Sequence, residues 1–224
     1  METNSLVKMA QNVGISPDML VREEWELLLL RELAESEIGN DLVFKGGTLL
    51  RLAYNSPRFS VDLDFDSKDT ITEKKFFQAI NSIVKKEPMM KIKDLIKKRF
   101  TYFARVAVAD ASLPANFAIK IEISVRPRPE KNYYENRLLS SPTSNIQVLF
   151  PVMKLAEIEK DKLKAVETRH QARDLFDLWY ISQINRKPWI CPPNDYSLKE
   201  LKDDLNKLLP QKLRPMIKQI YESK

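Results

Sequence analysis

The chain has 224 residues, 43% of them hydrophobic and 30% charged, with a formal net charge of +6; that is enough for one large domain, or for a compact core with a helical appendage. A single cysteine, Cys191, excludes an internal disulfide, and a single histidine, His170, excludes a zinc site of the usual ligand count; both point to a reducing cytoplasm. The opening METNSLVKMA lacks the basic-then-apolar pattern of a signal peptide, and LLLL at 27–30 is flanked by Glu26 and Arg31, so the expectation is a soluble chain that does not enter a membrane.

The net charge conceals an asymmetry. Residues 1–66 carry six Lys/Arg against twelve Asp/Glu, which leaves +12 on residues 67–224. In chain order, SPDMLVREEWELLLLRELAESE predicts a helix with Ser16 as N-cap and Pro17 at its first position. DLVF (41–44) reads as a short strand, GTLLRLAY as a helix, and SVDLDF (60–65), which alternates with period two, as a strand with one buried face. ITEKKFFQAINSIVKK returns to helical spacing behind a threonine cap. The stretch 84–105 then carries eight basic and two acidic residues interleaved with Phe100, Tyr102 and Phe103; it is either a polyanion-binding surface or a solvated lysine-rich face. RFTYFARVAVAD and FAIKIEISVRP predict two long strands. From about Pro151 the chain reads as wholly helical, giving an α+β organisation: a mixed α/β part with N-terminal helices over 1–150 and a helical C-terminal part over 151–224. The turn-rich SSPTSNIQVLFP (140–151) lies between them.

On a strand, residues two apart share a face, so Asp62 and Asp64 project side by side while Val61, Leu63 and Phe65 enter the core. Adjacent carboxylates repel, an arrangement tolerated where a divalent cation sits between them; oxygen-only ligands suit Mg²⁺. Gly46, Gly47 and Thr48 at a strand-to-helix junction can offer backbone N–H groups and a hydroxyl to a phosphate, with Arg58 and Ser60 close by. Glu122, alone among apolar neighbours in IKIEIS, is a candidate third carboxylate or an acidic residue on an exposed strand face. Each piece has an ordinary alternative: a glycine pair is a common turn, and DxD a common solvated strand face. Taken as one continuous helix, residues 160–178 align Lys162, Arg169, Arg173 and Asp177 in a narrow arc. That arc is either a cationic stripe facing a cleft or an exposed face with an Arg173–Asp177 ion pair.

These residues resemble a known family. Gly46-Gly47, fourteen intervening residues, Asp62-Leu63-Asp64 and a later apolar–acidic–apolar strand are similar to the DNA polymerase β-type nucleotidyltransferases. The string KGGTLLRLAY…RFSVDLDF, with Lys162-Leu163-Lys164-Ala165, Arg169 and Arg173-Asp174-Leu175-Phe176-Asp177, resembles the AbiEii/AbiGii and MenT group of toxins. The resemblance implies a polymerase β-like mixed sheet with flanking helices, and transfer of NMP from an NTP to an acceptor by the toxin of a toxin–antitoxin or abortive-infection system, with an antitoxin as partner. It implies Asp62, Asp64 and Glu122 as ligands of Mg²⁺ or Mn²⁺. Asp62, Asp64, Glu122, Lys162 and either Asp174 or Asp177 are implied for catalysis, and Lys45, Gly46, Gly47, Thr48, Arg58, Ser60, Arg169 and Arg173 for the nucleotide. The acidic strand cannot itself hold a polyanion, so an RNA acceptor, a tRNA end, is expected to lie against Lys91, Lys93, Lys97, Lys98 and Arg99. A chain that keeps the fold but only binds nucleotide or RNA is the other reading.

Overall fold

The computed structural model describes residues 3–68, 71–128, 132–169, 171–193 and 196–222; His170 lies outside them. Two helices open the chain, α1 (Thr3–Val13) and α2 (Pro17–Ala34). Pro17 occupies the first turn of α2 as expected, while Ser16 sits at the N-cap without a side-chain capping bond. Leu27, Leu29, Leu30 and Leu33 are wholly buried, because α2 packs on α1 on one side and on the sheet and a later helix on the others. Each such leucine contributes about 1.5–3 kcal/mol by leaving water, which accounts for the apolar run at 27–30.

After a 3₁₀ turn at Gly39–Asp41, the chain forms β1 (Leu42–Lys45), α3 (Gly46–Tyr54), β2 (Asp62–Ser67) and α4 (Glu73–Lys86). Thr72 caps α4, its hydroxyl accepting from the Lys75 amide at 3.3 Å. Strands β3 (Met90–Lys98), β4 (Thr101–Val108), β5 (Phe117–Ser124), β6 (Tyr134–Leu139) and β7 (Val148–Met153) follow, then helices α5 (Leu155–Thr168), α6 (Ala172–Ile184), α7 (Leu198–Leu205) and α8 (Met216–Glu222). The seven strands form one mixed sheet in the order β3-β4-β5-β2-β1-β7-β6. The sheet therefore runs past Pro151, and the helical part begins at Leu155.

Three of the strands, β3, β6 and β7, lie where the sequence predicts none. Strand β3 lies within the basic stretch, an edge strand whose lysines disfavour edge-to-edge pairing. Helices α2 and α4 cover one sheet face, where Phe44, Phe65 and Phe150 pack ring to ring with centroids 5.1–6.3 Å apart. On that face Tyr102 stacks on Phe76 at 5.3 Å and donates its hydroxyl to the Ile71 carbonyl at 2.9 Å, so it is a core residue. The other face carries the aspartates of β2. A second apolar cluster, built on Val166, Leu175, Phe176, Leu201, Leu209 and Ile217, joins α5 to α8.

Candidate active site

Strand register builds the site. Strand β2 lies between antiparallel β1 and parallel β5, with Asp64 opposite Lys45 on one side and Glu122 on the other, and Asp62 opposite Lys120. Asp62, Asp64 and Glu122 thus share one sheet face, while Leu63 and Phe65 are wholly buried on the other. The third aspartate of VDLDFD, Asp66, is buried and bound by Lys45, at 2.5 Å, and by Arg128. It anchors a chain of charges, Lys45–Asp66–Arg128–Asp161, that ties β1 and β2 to α5.

The adjacent glycines answer to two side chains. Gly46 turns β1 into α3 with φ +85°, and a β-carbon there would lie 2.5 Å from Asp64 Oδ2. A β-carbon on Gly47 would lie 2.3 Å from Arg58 Nη2 and 2.9 Å from Ser60 Oγ. The pair leaves room for a carboxylate and a guanidinium against the start of α3, and leaves the amides of that first turn open to the same space. Thr48 is placed otherwise than expected: its hydroxyl donates to the Asp62 carbonyl at 2.6 Å and is buried, so it fixes α3 to β2 and has no hydroxyl to spare for a ligand.

Residues 160–178 are not one helix. Helix α5 ends at Thr168, Arg169 takes extended backbone angles, and α6 starts at Ala172. The residues still converge, because α5 and α6 pack on each other. Lys162, 7% exposed, donates to Asp174 at 2.7 Å and meets Asp177 at 2.6 Å. Arg169 holds Asp174 through two nitrogens, at 2.8 and 3.0 Å. Arg58, 1% exposed, holds Asp177 through two nitrogens, at 2.7 and 2.9 Å, and also donates to the Phe59 carbonyl. Burial pushes both aspartates up, but the cations outweigh it, Arg58 and Lys162 for Asp177, Lys162 and Arg169 for Asp174, and hold both below the ordinary carboxylate range. Both are fully buried behind the site, so they aim cations at it and do not face it themselves. Arg173 bonds Gln171 at 2.9 Å, not Asp177.

Two clefts meet at Asp64, Glu122, Lys162 and Arg169. The smaller, about 210 Å³, adds Gly47, Arg58, Ser60, Asp62, Lys120 and Arg173, three cations against one carboxylate. The larger, about 400 Å³, adds Lys45 and Gly46, the rim residues Thr101 and Ser124, and an apolar wall of Met153, Ile158 and Ala165. Lys120 is a site residue that sequence reasoning missed. It stands two residues before Glu122, hence on the same face, and its ammonium lies 3.7 Å from Asp62.

Burial holds the Asp64 carboxyl above its ordinary range, and the Asp62 and Glu122 charges push the same way against Lys45 and Lys162. Among the described residues no three His, Cys, Asp or Glu side chains converge closely enough to form a metal site alone. Glu122 therefore shares the face without closing a three-carboxylate set. Oxygen donors from Asp62 and Asp64, in mutual repulsion beside an open cleft, fit a hard divalent cation that completes its shell with water and substrate phosphate.

The five expected acceptor residues do not form one patch. Along β3, Lys91 and Lys98 fall on the aspartate-bearing face, paired through β4 with Ala107 and Thr101. Lys97 falls on the helix-covered side and pairs with Glu73 at 3.5 Å. Lys93 lies at a break in register, and Arg99 in the β3–β4 turn.

A mixed sheet of this order with this site belongs to a class with known members. The solved structures similar to it include the nucleotidyltransferase toxin MenT4 of Mycobacterium tuberculosis H37Rv, 18% identical, with a TM-score of 0.67 over 99% of this chain and 88% of that one. JHP933 of Helicobacter pylori is 21% identical, with a TM-score of 0.60 over 93% of this chain and 94% of that one. No curated protein matches the chain. A family model, nucleotidyl transferase AbiEii toxin of type IV toxin–antitoxin systems, matches residues 28–220. The protein is a nucleotidyltransferase; the chain belongs to the AbiEii toxin family. Membership implies an antitoxin partner, a nucleotide substrate and use of divalent metal ions. No helix among the described residues is long and apolar enough to cross a membrane.

Proposed function

We propose that the protein transfers NMP from an NTP to an RNA acceptor, a tRNA end, with Mg²⁺ or Mn²⁺ held by Asp62 and Asp64. The smaller cleft takes the triphosphate: Lys162, Arg169 and Arg173 supply positive charge, and Gly47 and Ser60 lie where phosphate oxygens approach the start of α3. The larger cleft, with its apolar wall, takes the nucleoside. The acceptor hydroxyl oxygen forms a bond to the α-phosphorus as the bond to the bridging oxygen breaks. The hydroxyl proton passes to Glu122, and pyrophosphate leaves among the cations. When bound, the metal neutralises phosphate charge and lowers the pKa of the attacking hydroxyl. Asp174, Asp177 and Arg58 are positioning residues that fix where Lys162 and Arg169 stand.

The observation that carries this reading is the register that sets Asp64 beside Glu122, with Gly46 cleared for its carboxylate, opposite cations locked by two buried aspartates. The test incubates the purified chain with each of the four α-labelled NTPs and total tRNA, with Mg²⁺ or with chelator. Label enters RNA only with metal, and Asp62→Asn and Asp64→Asn reduce it to background. Labelling by Asp64→Asn at the unmodified rate sinks the mechanism. RNA and NTP binding without labelling, for every NTP, makes the chain a binding module.

A further inference from the structure

The sheet face that carries the catalytic carboxylates does not end at Glu122; it continues, open, across two further strands. On β4, Tyr102, Ala104, Val106 and Val108 are buried beneath α4, whereas the alternate positions Thr101, Phe103, Arg105 and Ala107 are not buried. Register extends Glu122 to Phe103 and then to Ile96, which is 45% exposed, and extends Ser124 to Thr101 and Lys98. Beside this row Phe100 is 39% exposed. Cations lie against both rings: Lys98 Nζ is 4.8 Å from the Phe103 centroid, and Arg99 and Arg126 place their guanidinium carbons 4.9 and 5.2 Å from that of Phe100. Among the described residues of β3, β4 and β5 this face holds one further acid, Asp94, which Arg105 neutralises at 2.7 Å. Thr101 and Ser124 are at once the edge of this surface and the rim of the larger cleft.

A protein-binding face of this kind would be apolar with a polar rim; this one has an exposed ring, Phe100, and a half-buried one, Phe103, both with cations over them, next to a nucleotidyl-transfer site. Aromatic rings stack on bases of any sequence, and cations beside them take the phosphates between those bases. We infer that the β3–β4–β5 face is the acceptor platform, on which the last nucleotides of a single-stranded RNA 3′ end stack over Phe103 and Phe100. Lys98, Arg99 and Arg126 hold its phosphates, and the terminal hydroxyl is presented beside Glu122. The inference rests on the nucleotidyl-transfer reading above and adds where the acceptor lies. Two strand spacings separate Glu122 from Ile96, about 10 Å, which accommodates two or three stacked nucleotides.

Full-length protein is titrated with 5′-labelled RNA oligonucleotides of one to six nucleotides bearing free 3′ hydroxyls, and Mg²⁺-dependent binding of a fluorescent NTP is measured in parallel. RNA affinity rises with each nucleotide up to about three and flattens beyond. Phe103→Leu, which keeps apolar volume at a half-buried position, and Phe100→Ala each weaken RNA binding at least about fivefold and raise the acceptor KM, with the NTP Kd unchanged. Lys98→Gln with Arg126→Gln, both surface changes, lowers the slope of log affinity against log salt by about 0.7 for each RNA phosphate no longer neutralised. RNA affinity and acceptor KM that stay at unmodified values in all these variants, while NTP binds and is transferred, overturn the platform and leave nucleotidyl transfer standing. Failure of the unmodified chain to bind any NTP removes the reading beneath it. Label appearing in protein and not in RNA overturns the RNA platform.

Discussion

Asp64 is held in a place that its charge disfavours. Its carboxyl is raised above the ordinary value, first by burial and then by Asp62 and Glu122, so at neutral pH the ionised form weakens the fold. The sign is opposite to that of the usual paired aspartate: this contribution to stability is gained, not lost, as pH falls through the raised value. Asp64→Asn is therefore expected to raise Tm by about 2–4 °C while abolishing transfer, the exchange of stability against function seen at strained active sites; calorimetry beside the labelling assay checks it, and a lowered Tm counts against the electrostatic argument. Bound metal must compete with the proton on the same carboxyl. The metal concentration for half-maximal transfer should rise as pH falls toward the ordinary carboxylate range, and excess metal should restore the rate. Gly46→Ala meets both a φ of +85° and the Asp64 carboxylate, so it should cost about 1–2 kcal/mol for the left-handed backbone alone, together with the loss of Asp64 geometry.

Where α5 and α6 pack together, with the α3–β2 connection against them, the charges form one set: Arg58, Lys162 and Arg169 against Asp174 and Asp177, four of the five at most 7% exposed. Removing one member leaves an opposite charge buried without its partner, which costs about 3–5 kcal/mol, whereas replacing the whole set with apolar residues need not. Asp177→Asn should therefore lower denaturant stability by several kcal/mol, leaving Arg58 short of its counter-charge. Lys162→Met should both destabilise and let Asp174 and Asp177 titrate higher. Chemical denaturation at pH 5 and pH 8 separates the two: the Lys162→Met deficit shrinks at the lower pH as the stranded carboxylates take up protons, and a deficit independent of pH refutes the network. An activity loss larger in Lys162→Met than in Arg58→Lys is expected, since only Lys162 reaches both clefts from α5.

On the scale of the whole molecule, acidic residues concentrate in the first 66 positions and the +12 balance lies beyond them, yet the strand register puts both kinds on one face, the aspartates of β2 lying directly beside the basic β3–β4–β5 half of the sheet. Asp174 and Asp177 titrate below the ordinary range. Their contribution to stability is therefore complete above the unfolded-state value, about 4, and disappears as pH drops below it. Loss of that contribution should unfold the protein in acid below about pH 4; an acid transition near pH 6 by circular dichroism would contradict this. Family membership adds a cellular expectation: expression of the chain alone arrests growth and Asp62→Ala does not, with vigorous growth at high levels of intact protein as the contrary result.

What could be read from one dimension was local in origin. The α2 helix, the β1–α3 junction, the period-two strand with Asp62 and Asp64, the capped α4 and the long strands β4 and β5 all follow from spacing within a dozen residues, and each is present. Strands β3, β6 and β7 were not legible. Edge strand β3 is mostly charged, and β7 contains Pro151, which reads as a strand terminator, yet it is tolerated opposite Asn136 of β6. The composition of β3 and β7 does not favour a sheet; their neighbours supply the pairing. The same division runs through the site. Sequence spacing alone determined that two aspartates share a strand face, that a glycine pair precedes them, and that Lys162, Arg169, Arg58 and Asp177 are residues to consider; the family resemblance added Asp174. Only the tertiary structure decided that the glycines make room for Asp64 and Arg58, that Thr48 is occupied, and that Lys120 joins Asp62. It also decided that Asp174 and Asp177 stand behind the cations, and that Lys97 leaves the face Lys98 keeps. Burial and partner choice depend on residues about ten to a hundred and twenty positions apart in sequence, as Arg58 and Asp177 are, and no local period encodes them.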